Sequence, residues 1–398
     1  MQNKSENYTC IFGGGAVRGM AYAGSIKALE ELNINIRTIA GSSVGSIVAG
    51  LLAVGYTSDE IKNILMSVNF NLFKDLNFGF GKELAFSKGN IFLEKIREVI
   101  EKKFYKDNYD KHKNKKVTFK DLDKDLVIIT TDLTNFQCKE FSKYTTPDFE
   151  VALAIRISSG FPGLMPPVEY EGLELVDGDL QKSCPLWELS ENLNKPNTRI
   201  LEFRLEGDFC ENTKNPINYL NTVFSCITSI ATRSITKEYG INDKFDYITI
   251  NTGEVILVDF NMSETEREKL IHIGYEQTIN YFKHTLYEKK KIILNDYQII
   301  YDLLNKFVML MNKKNIDKAK NILGDIFINL YDCKDRIDAN LCKELEIAKN
   351  RFLKELKPSK IFHIYYKKDV DNINSNFIEL KNSIEEKINN LKEYISIT

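Results

Sequence analysis

Residues 39–55 read IAGSSVGSIVAGLLAVG, and two architectures compete for them. A bilayer span needs roughly 20 predominantly apolar residues. This run is shorter and holds three serines and four glycines. Residues 37–40 instead predict a strand, 41–45 a tight turn and 44–54 a helix, with Gly55 where a helix C-terminal glycine belongs.

The same grammar appears just upstream. Residues 8–12 (YTCIF) are β-prone, Gly13, Gly14 and Gly15 break the run, and residues 18–32 turn helical, with Tyr22, Ile26, Leu29 and Leu32 on one face. Two strand–turn–helix units in succession predict an α/β fold, with a mainly parallel central sheet sandwiched by helices. Downstream, residues 126–131 (LVIITT), 200–205 and 247–251 read as strands, and 88–104 as a helix. Residues 111–116 read as a basic, solvated loop. Residues 158–186, which hold Pro162, Pro166, Pro167 and Pro185, predict loops rather than a long element. Phe70, Phe73, Phe78, Phe80 and Phe86, interspersed with Gly79 and Gly81, follow no regular period.

Near residue 263 the texture changes. Ser263 and Glu266 have capping-box spacing. Ile271, Tyr275, Ile279, Phe282 and Leu286 then line one helical face. A Lys- and Asn-rich tail follows, in which Ile373, Phe377, Leu380, Ile384, Ile388, Leu391 and Ile395 recur at near-heptad spacing. These shifts predict a first domain over 8–286 and an α-helical C-terminal region over 287–398.

Composition removes several classes. The chain has 398 residues, 43% of them hydrophobic, and 54 Lys and Arg against 56 Asp and Glu, a formal charge of −2. That is a globular balance with no net field to attract nucleic acid. Residues 1–7 have no apolar core and no small-residue cleavage site, so no signal peptide is expected. Seven cysteines with no C-x-x-C fit free thiols in a reducing compartment.

The chemistry concentrates in three places. Gly41-Ser42-Ser43-Val44-Gly45 is a G-x-S-x-G, which sets a serine on a sharp strand-to-helix turn. Ser43 is the candidate nucleophile, and Gly41 and Gly45 let the backbone turn. None of the four histidines, His112, His272, His284 and His363, has the setting of a catalytic base, which leaves a carboxylate. Asp177, delivered by Leu175-Val176 and exposed by Gly178, is the best-marked one. An aspartate serving as base needs its pKa raised, by partial burial or by a second carboxylate such as Asp179. Third, Gly13-Gly14-Gly15-Ala16-Val17-Arg18-Gly19 opens a helix with backbone N–H groups suited to a phosphate or to the oxyanion of an acyl intermediate. It matches neither a Walker loop nor a dinucleotide fingerprint. Asp121, Asp123 and Asp125 mimic the start of a calcium loop, but Leu126 stands at the obligatory glycine position, so no metal is expected.

In this order, GGGAVRG, GSSVG and DGD resemble the patatin-like phospholipase family, which carries a glycine-rich oxyanion turn, a G-x-S-x-G elbow and a late Asp-Gly-Gly or Asp-Gly-Ala. MAYAGSIKALEELNI and TPDFEVALAIRISSGFPGLMPPVEYEGLELVDGDLQKSCPL look similar as well, and the resemblance runs from about Thr9 to about Phe282. It implies a three-layer patatin-like fold. It implies Ser43 as nucleophile and Asp177 as its dyad partner, with the amides of Gly14, Gly15 and Ala16 as oxyanion hole. Arg18 would shape that turn, supported by Gly13, Gly19, Gly41, Gly45 and Gly178. Two positions depart from the family pattern: Ala16 replaces a glycine, and Asp179 stands where a small residue is usual.

The implied reaction is calcium-independent hydrolysis of a phospholipid or lysophospholipid through an acyl-enzyme. No cofactor is needed, and the enzyme would contact membranes peripherally from the cytoplasm, with export lacking a cleaved signal as a second route. Residues 70–86 are a candidate lid or docking loop, against a plain core-packing reading. A lipid- or partner-binding protein with a weakened site and a soluble carboxylesterase or thioesterase are the competing functions. The heptad-like face of 287–398 is a candidate for packing on the first domain, for homo-oligomer contacts or for an activator.

Overall fold

The structure, a computed structural model, describes residues 7–67, 87–112, 115–180, 198–207, 222, 245–255, 262–355 and 367–397. The chain begins with β1 (Asn7–Phe12), a 3-10 turn Ala16–Met20, α1 (Ala21–Glu31), β2 (Asn35–Ser42), α2 (Val44–Ala53) and α3 (Ser58–Ser67). Then come α4 (Asn90–Tyr105), the short α5 (Tyr109–His112), β3 (Asp125–Asp132), β4 (Gln137–Ser142) and α6 (Val151–Ser158). β5 (Val168–Tyr170), β6 (Leu173–Val176), β7 (Thr198–Glu206), β8 (Phe245–Asn251) and α7 (Glu264–Asn280) follow. The phenylalanine-rich stretch proposed as a lid lies outside the described residues.

The sheet runs β5-β6-β3-β2-β1-β7-β8, with β4 also paired to β3. Its heart, β3-β2-β1-β7-β8, is parallel throughout. β1, β3 and β7 are buried along nearly their whole length, as strands covered on both faces must be. The mainly parallel sheet expected from the repeated strand–turn–helix units is present. Antiparallel pairs β3–β4, β3–β6 and β5–β6 extend one side. β5 and β6 form a hairpin inside the stretch expected to be loop. Tyr170 pairs with Leu173, and Glu171 and Gly172 between them both have positive φ, the backbone of a two-residue type I′ turn.

Helices complete the architecture. α2 lies against β1, β2 and β3, and α1 against α3 and α7. The α1–α7 crossing is close: a Cβ on Gly24 would collide with the Ile271 carbonyl, and one on Gly274 with the Ala21 carbonyl. The capping box read from Ser263 and Glu266 closes reciprocally at the start of α7.

A first compact unit ends at Asn280 and a second runs from Tyr281 to the C-terminus. The second holds a π-turn Tyr281–Thr285, then α8 (Leu286–Asn312), α9 (Ile316–Cys333), α10 (Ala339–Glu355) and α11 (Lys367–Ile397). Ile373, Phe377, Leu380, Ile384, Ile388 and Leu391 of the heptad-like face are buried in its core with Tyr297, Leu304 and Phe307 of α8 and Phe352 of α10. The face packs among the second unit's own helices.

Candidate active site

Ser43 stands between the end of β2 and the start of α2, with φ 49° and ψ −128°. A non-glycine residue held in this region is strained by on the order of 1 kcal/mol, which persists only where the surroundings enforce it. Three serines do so. The Ser43 amide donates to Ser158 Oγ at 3.0 Å, and Ser158 Oγ donates to the Ile129 carbonyl at 2.6 Å. Ser46 Oγ and Ser159 Oγ donate to the Ser43 carbonyl at 2.6 and 3.2 Å. Gly45 is required by crowding rather than by φ, because a Cβ there would strike the Phe12 carbonyl. Gly41, likewise, faces the Gly45 carbonyl. The turn is thus pressed against the end of β1, with the positive end of α2 directed at it.

Strand register brings Asp177 to the same place. Ser42 pairs with Ile129 across β2–β3, while Val176 pairs with Thr131 across the antiparallel β6–β3 step. Continuing past Val176, the chain folds back along β3, and Gly178 abuts the Ile129 carbonyl and Ser42 Cβ. Ser43 Oγ then donates to Asp177 Oδ2 at 2.8 Å. Asp177 has 0% exposure. That burial pushes its pKa up to about 7, against the pull of hydrogen bonds from the Asp179 amide and the Ser43 hydroxyl.

Asp179 is 2% exposed. Its carboxyl accepts hydrogen bonds from Ser42 Oγ and from the Gly14 amide. Burial first, and the neighbouring Asp177 second, hold its pKa well above the carboxylate range. The second carboxylate was expected to raise the pKa of Asp177. Burial is the leading cause of the rise at both carboxyls.

The glycine turn is fixed from beneath. Gly13 N donates to the Phe203 carbonyl at 3.1 Å, and the Tyr22 hydroxyl donates to the Gly13 carbonyl at 2.7 Å. Gly14 stands beside Ser43 Cβ, and Gly19 packs on Val44. Ala16 has φ 48°, so its methyl group strains a turn that a glycine would adopt freely. Of the three amides expected to receive an oxyanion, that of Gly14 is engaged by Asp179. Among the described residues, no hydrogen bond is made by the amides of Gly15 and Ala16. Arg18 is buried, its guanidinium packed on Gly207 and its Nε donating to the Val255 carbonyl at 2.7 Å. It ties the turn to the segments after β7 and β8.

His272 and His284 are exposed, His112 is half-buried against the Tyr105 ring, and His363 lies outside the described residues. Asp121 caps the turn begun by Thr118, and Asp125 pairs with Lys143. Sequence reasoning gave no part to Ser158, Ser159 or the Tyr22 hydroxyl. The Ser-Ser-Gly that ends the apolar run of α6 was the available signal for the first two.

A family profile described as patatin-like phospholipase matches residues 10–190. Protein R571 of Acanthamoeba polyphaga mimivirus is 30% identical over 281 residues, 68% of this chain and 92% of that protein. A "probable lipid hydrolase", 463L of Invertebrate iridescent virus 6, is 28% identical over 203 residues, 48% of this chain and 66% of that protein. Among solved structures, VipD of Legionella pneumophila superposes with a TM-score of 0.52 at 20% identity, covering 97% of this chain and 90% of that one, a likeness of fold.

Proposed function

The chain belongs to the patatin-like phospholipase family, and we propose that it hydrolyses carboxylic esters of membrane phospholipids or lysophospholipids with Ser43 as nucleophile and Asp177 as base. The observation that carries this reading is the Ser43 Oγ to Asp177 Oδ2 hydrogen bond of 2.8 Å, made on a strained elbow, together with the amides of Gly15 and Ala16, which bond none of the described residues. A base whose pKa lies near 7 is matched to proton transfer near neutral pH.

Ser43 Oγ attacks the acyl carbonyl carbon as its proton passes to Asp177. The oxygen that becomes negative is received by the amides of Gly15 and Ala16. The intermediate collapses when Asp177 returns the proton to the departing alcohol oxygen, leaving Ser43 acylated. Water then gives a proton to Asp177 and attacks the acyl carbon, and as the bond to Ser43 Oγ breaks Asp177 passes that proton to Oγ, which frees the fatty acid and restores both residues. No histidine and no metal takes part.

Among the described residues, no helix is long and apolar enough to cross a membrane. The proposed access is peripheral and from the cytoplasm, with residues 70–86 as the docking loop. Phe78→Ser together with Phe80→Ser should reduce liposome binding before hydrolysis of a monomeric ester.

Hydrolysis of a short-chain ester tests the chemistry. Ser43→Ala should abolish it, and Asp177→Asn should slow it by about 10²- to 10⁴-fold, the usual share of a general base. Equal rates in wild type and Ser43→Ala would overturn the assignment. Mass spectrometry of a mixed lipid extract, wild type against Ser43→Ala, would then identify head group and acyl position.

A further inference from the structure

One carboxyl group between the elbow and the glycine turn has no part in that scheme. Asp179 occupies the position at which the family motif usually carries a small residue. Its carboxyl fills the space next to Gly14, where a Cβ would overlap Oδ2. It links two parts of the site, accepting from Ser42 Oγ of the elbow and from the Gly14 amide of the turn. It is joined to Asp177 as well, since the Asp179 amide donates to Asp177 Oδ1 at 2.9 Å.

The same position is a hazard if charged. A carboxylate at Asp179, only 2% exposed and bonded to Gly14, stands beside the amides that must receive a negative oxygen. Like charges held that close repel far more strongly than in water. A neutral carboxyl keeps the Gly14 bond through its carbonyl oxygen and removes the repulsion.

We propose that Asp179 is a positioning residue that works only in its neutral form: protonated, it pins the Gly14 amide to the elbow, and ionised, it closes the oxyanion turn to a negative oxygen. This rests on the Ser43 hydrolase reading. Two buried carboxyls so placed lose their protons in two steps, and the second is opposed by the charge left by the first. Asp177 must lose its proton before Asp179 for the base to be charged while the brace is neutral; burial raises the pKa of both carboxyls.

The surrounding elements bring few competing charges. Among the described residues, Asp177 is the ionisable group that acts on Asp179. Arg18 of the glycine turn reaches to Val255 and Gly207. Arg156 of α6 bonds the carbonyls of Pro166 and Lys88. Asp132 at the end of β3 accepts from Thr134 and Asn135. Glu202 and Arg204 of β7 pair with each other.

The test is the pH profile of kcat/KM for p-nitrophenyl butyrate with the full chain, wild type against Asp179→Asn, Asp179→Gly and Ser43→Ala. Wild type should rise with ionisation of Asp177 and fall on the alkaline side by about tenfold per pH unit. Asp179→Asn should keep the acid limb and the peak rate within about threefold and lose the alkaline fall, because its amide cannot ionise. Asp179→Gly should lose the fall too. An alkaline limb that survives in either variant overturns the proposal, as does an equal loss of rate at every pH. A wild-type profile with no alkaline fall overturns it without any variant. Hydrolysis retained by Ser43→Ala would instead remove the hydrolase reading, whatever the shape of the profile.

Discussion

In water an aspartate ionises near pH 4; enclosed without exposure, Asp177 does so at about 7. Between those values the native chain holds a proton that the unfolded chain has released. Stability therefore falls as pH rises through this window, by at most about 1.4 kcal/mol per pH unit for one such group, and levels off above the folded pKa. Asp179 is shifted in the same direction and extends the window upward. Asp177→Asn removes the charge that burial penalises while keeping a side-chain oxygen for Ser43. Urea unfolding should show the variant gaining on wild type as pH rises from about 4 to about 8, in a protein whose hydrolysis is slowed. A difference that does not change with pH would mean that burial of this charge is not what tunes Asp177. Ser43 and Ala16, both at positive φ, add strain to the same few residues.

Glycines in the helices separate crowding from propensity. In α1, alanine at position 24 would favour the helix by about 1 kcal/mol on propensity alone. The Ile271 carbonyl of α7 occupies the place of its methyl group, and backbone cannot step aside cheaply. Gly24→Ala should therefore destabilise by about 2 kcal/mol or more. Gly324, in α9, has nothing near the position of an added Cβ, so Gly324→Ala should stabilise by about 0.5–1 kcal/mol. Thermal unfolding of the two variants should move in opposite directions, and a parallel shift would refute the crowding argument. The elements that could be read from sequence were those with a local signature. β1, β2, the elbow and α2 follow from short apolar runs broken by glycine, and the start of α7 from a capping box. The β5–β6 hairpin escaped because its strands are too short to display a period and prolines crowd its approach. The brace of Ser158 and Ser159 around Ser43, and the bond from Gly14 to Asp179, also escaped. Both join residues distant in sequence, one from the end of α6 and one from just past the end of β6, which no local pattern records.

Each of the two units has its own buried core, and the second is built largely from the face that looked most suited to recruitment. Phe377 packs at 4.4 Å between ring centroids on Phe307, which meets Phe352 at 5.5 Å. A second copy or an activator drawn to 287–398 must therefore meet the outer surface, where Ile328 and Tyr331 stand exposed on α9. Phe377→Ala opens a cavity where α8, α10 and α11 converge, at a cost of about 3–5 kcal/mol. That is a large part of the 5–15 kcal/mol that holds a typical domain. Amide exchange should then accelerate through α8, α9, α10 and α11 while the amides of β1, β2 and β3 stay protected. The contrast follows from cooperativity being confined to a shared core. Protection lost equally in the sheet would mean that the units unfold as one, and a Phe377→Ala chain with unchanged exchange would mean that the heptad-like face is not what holds the helices together.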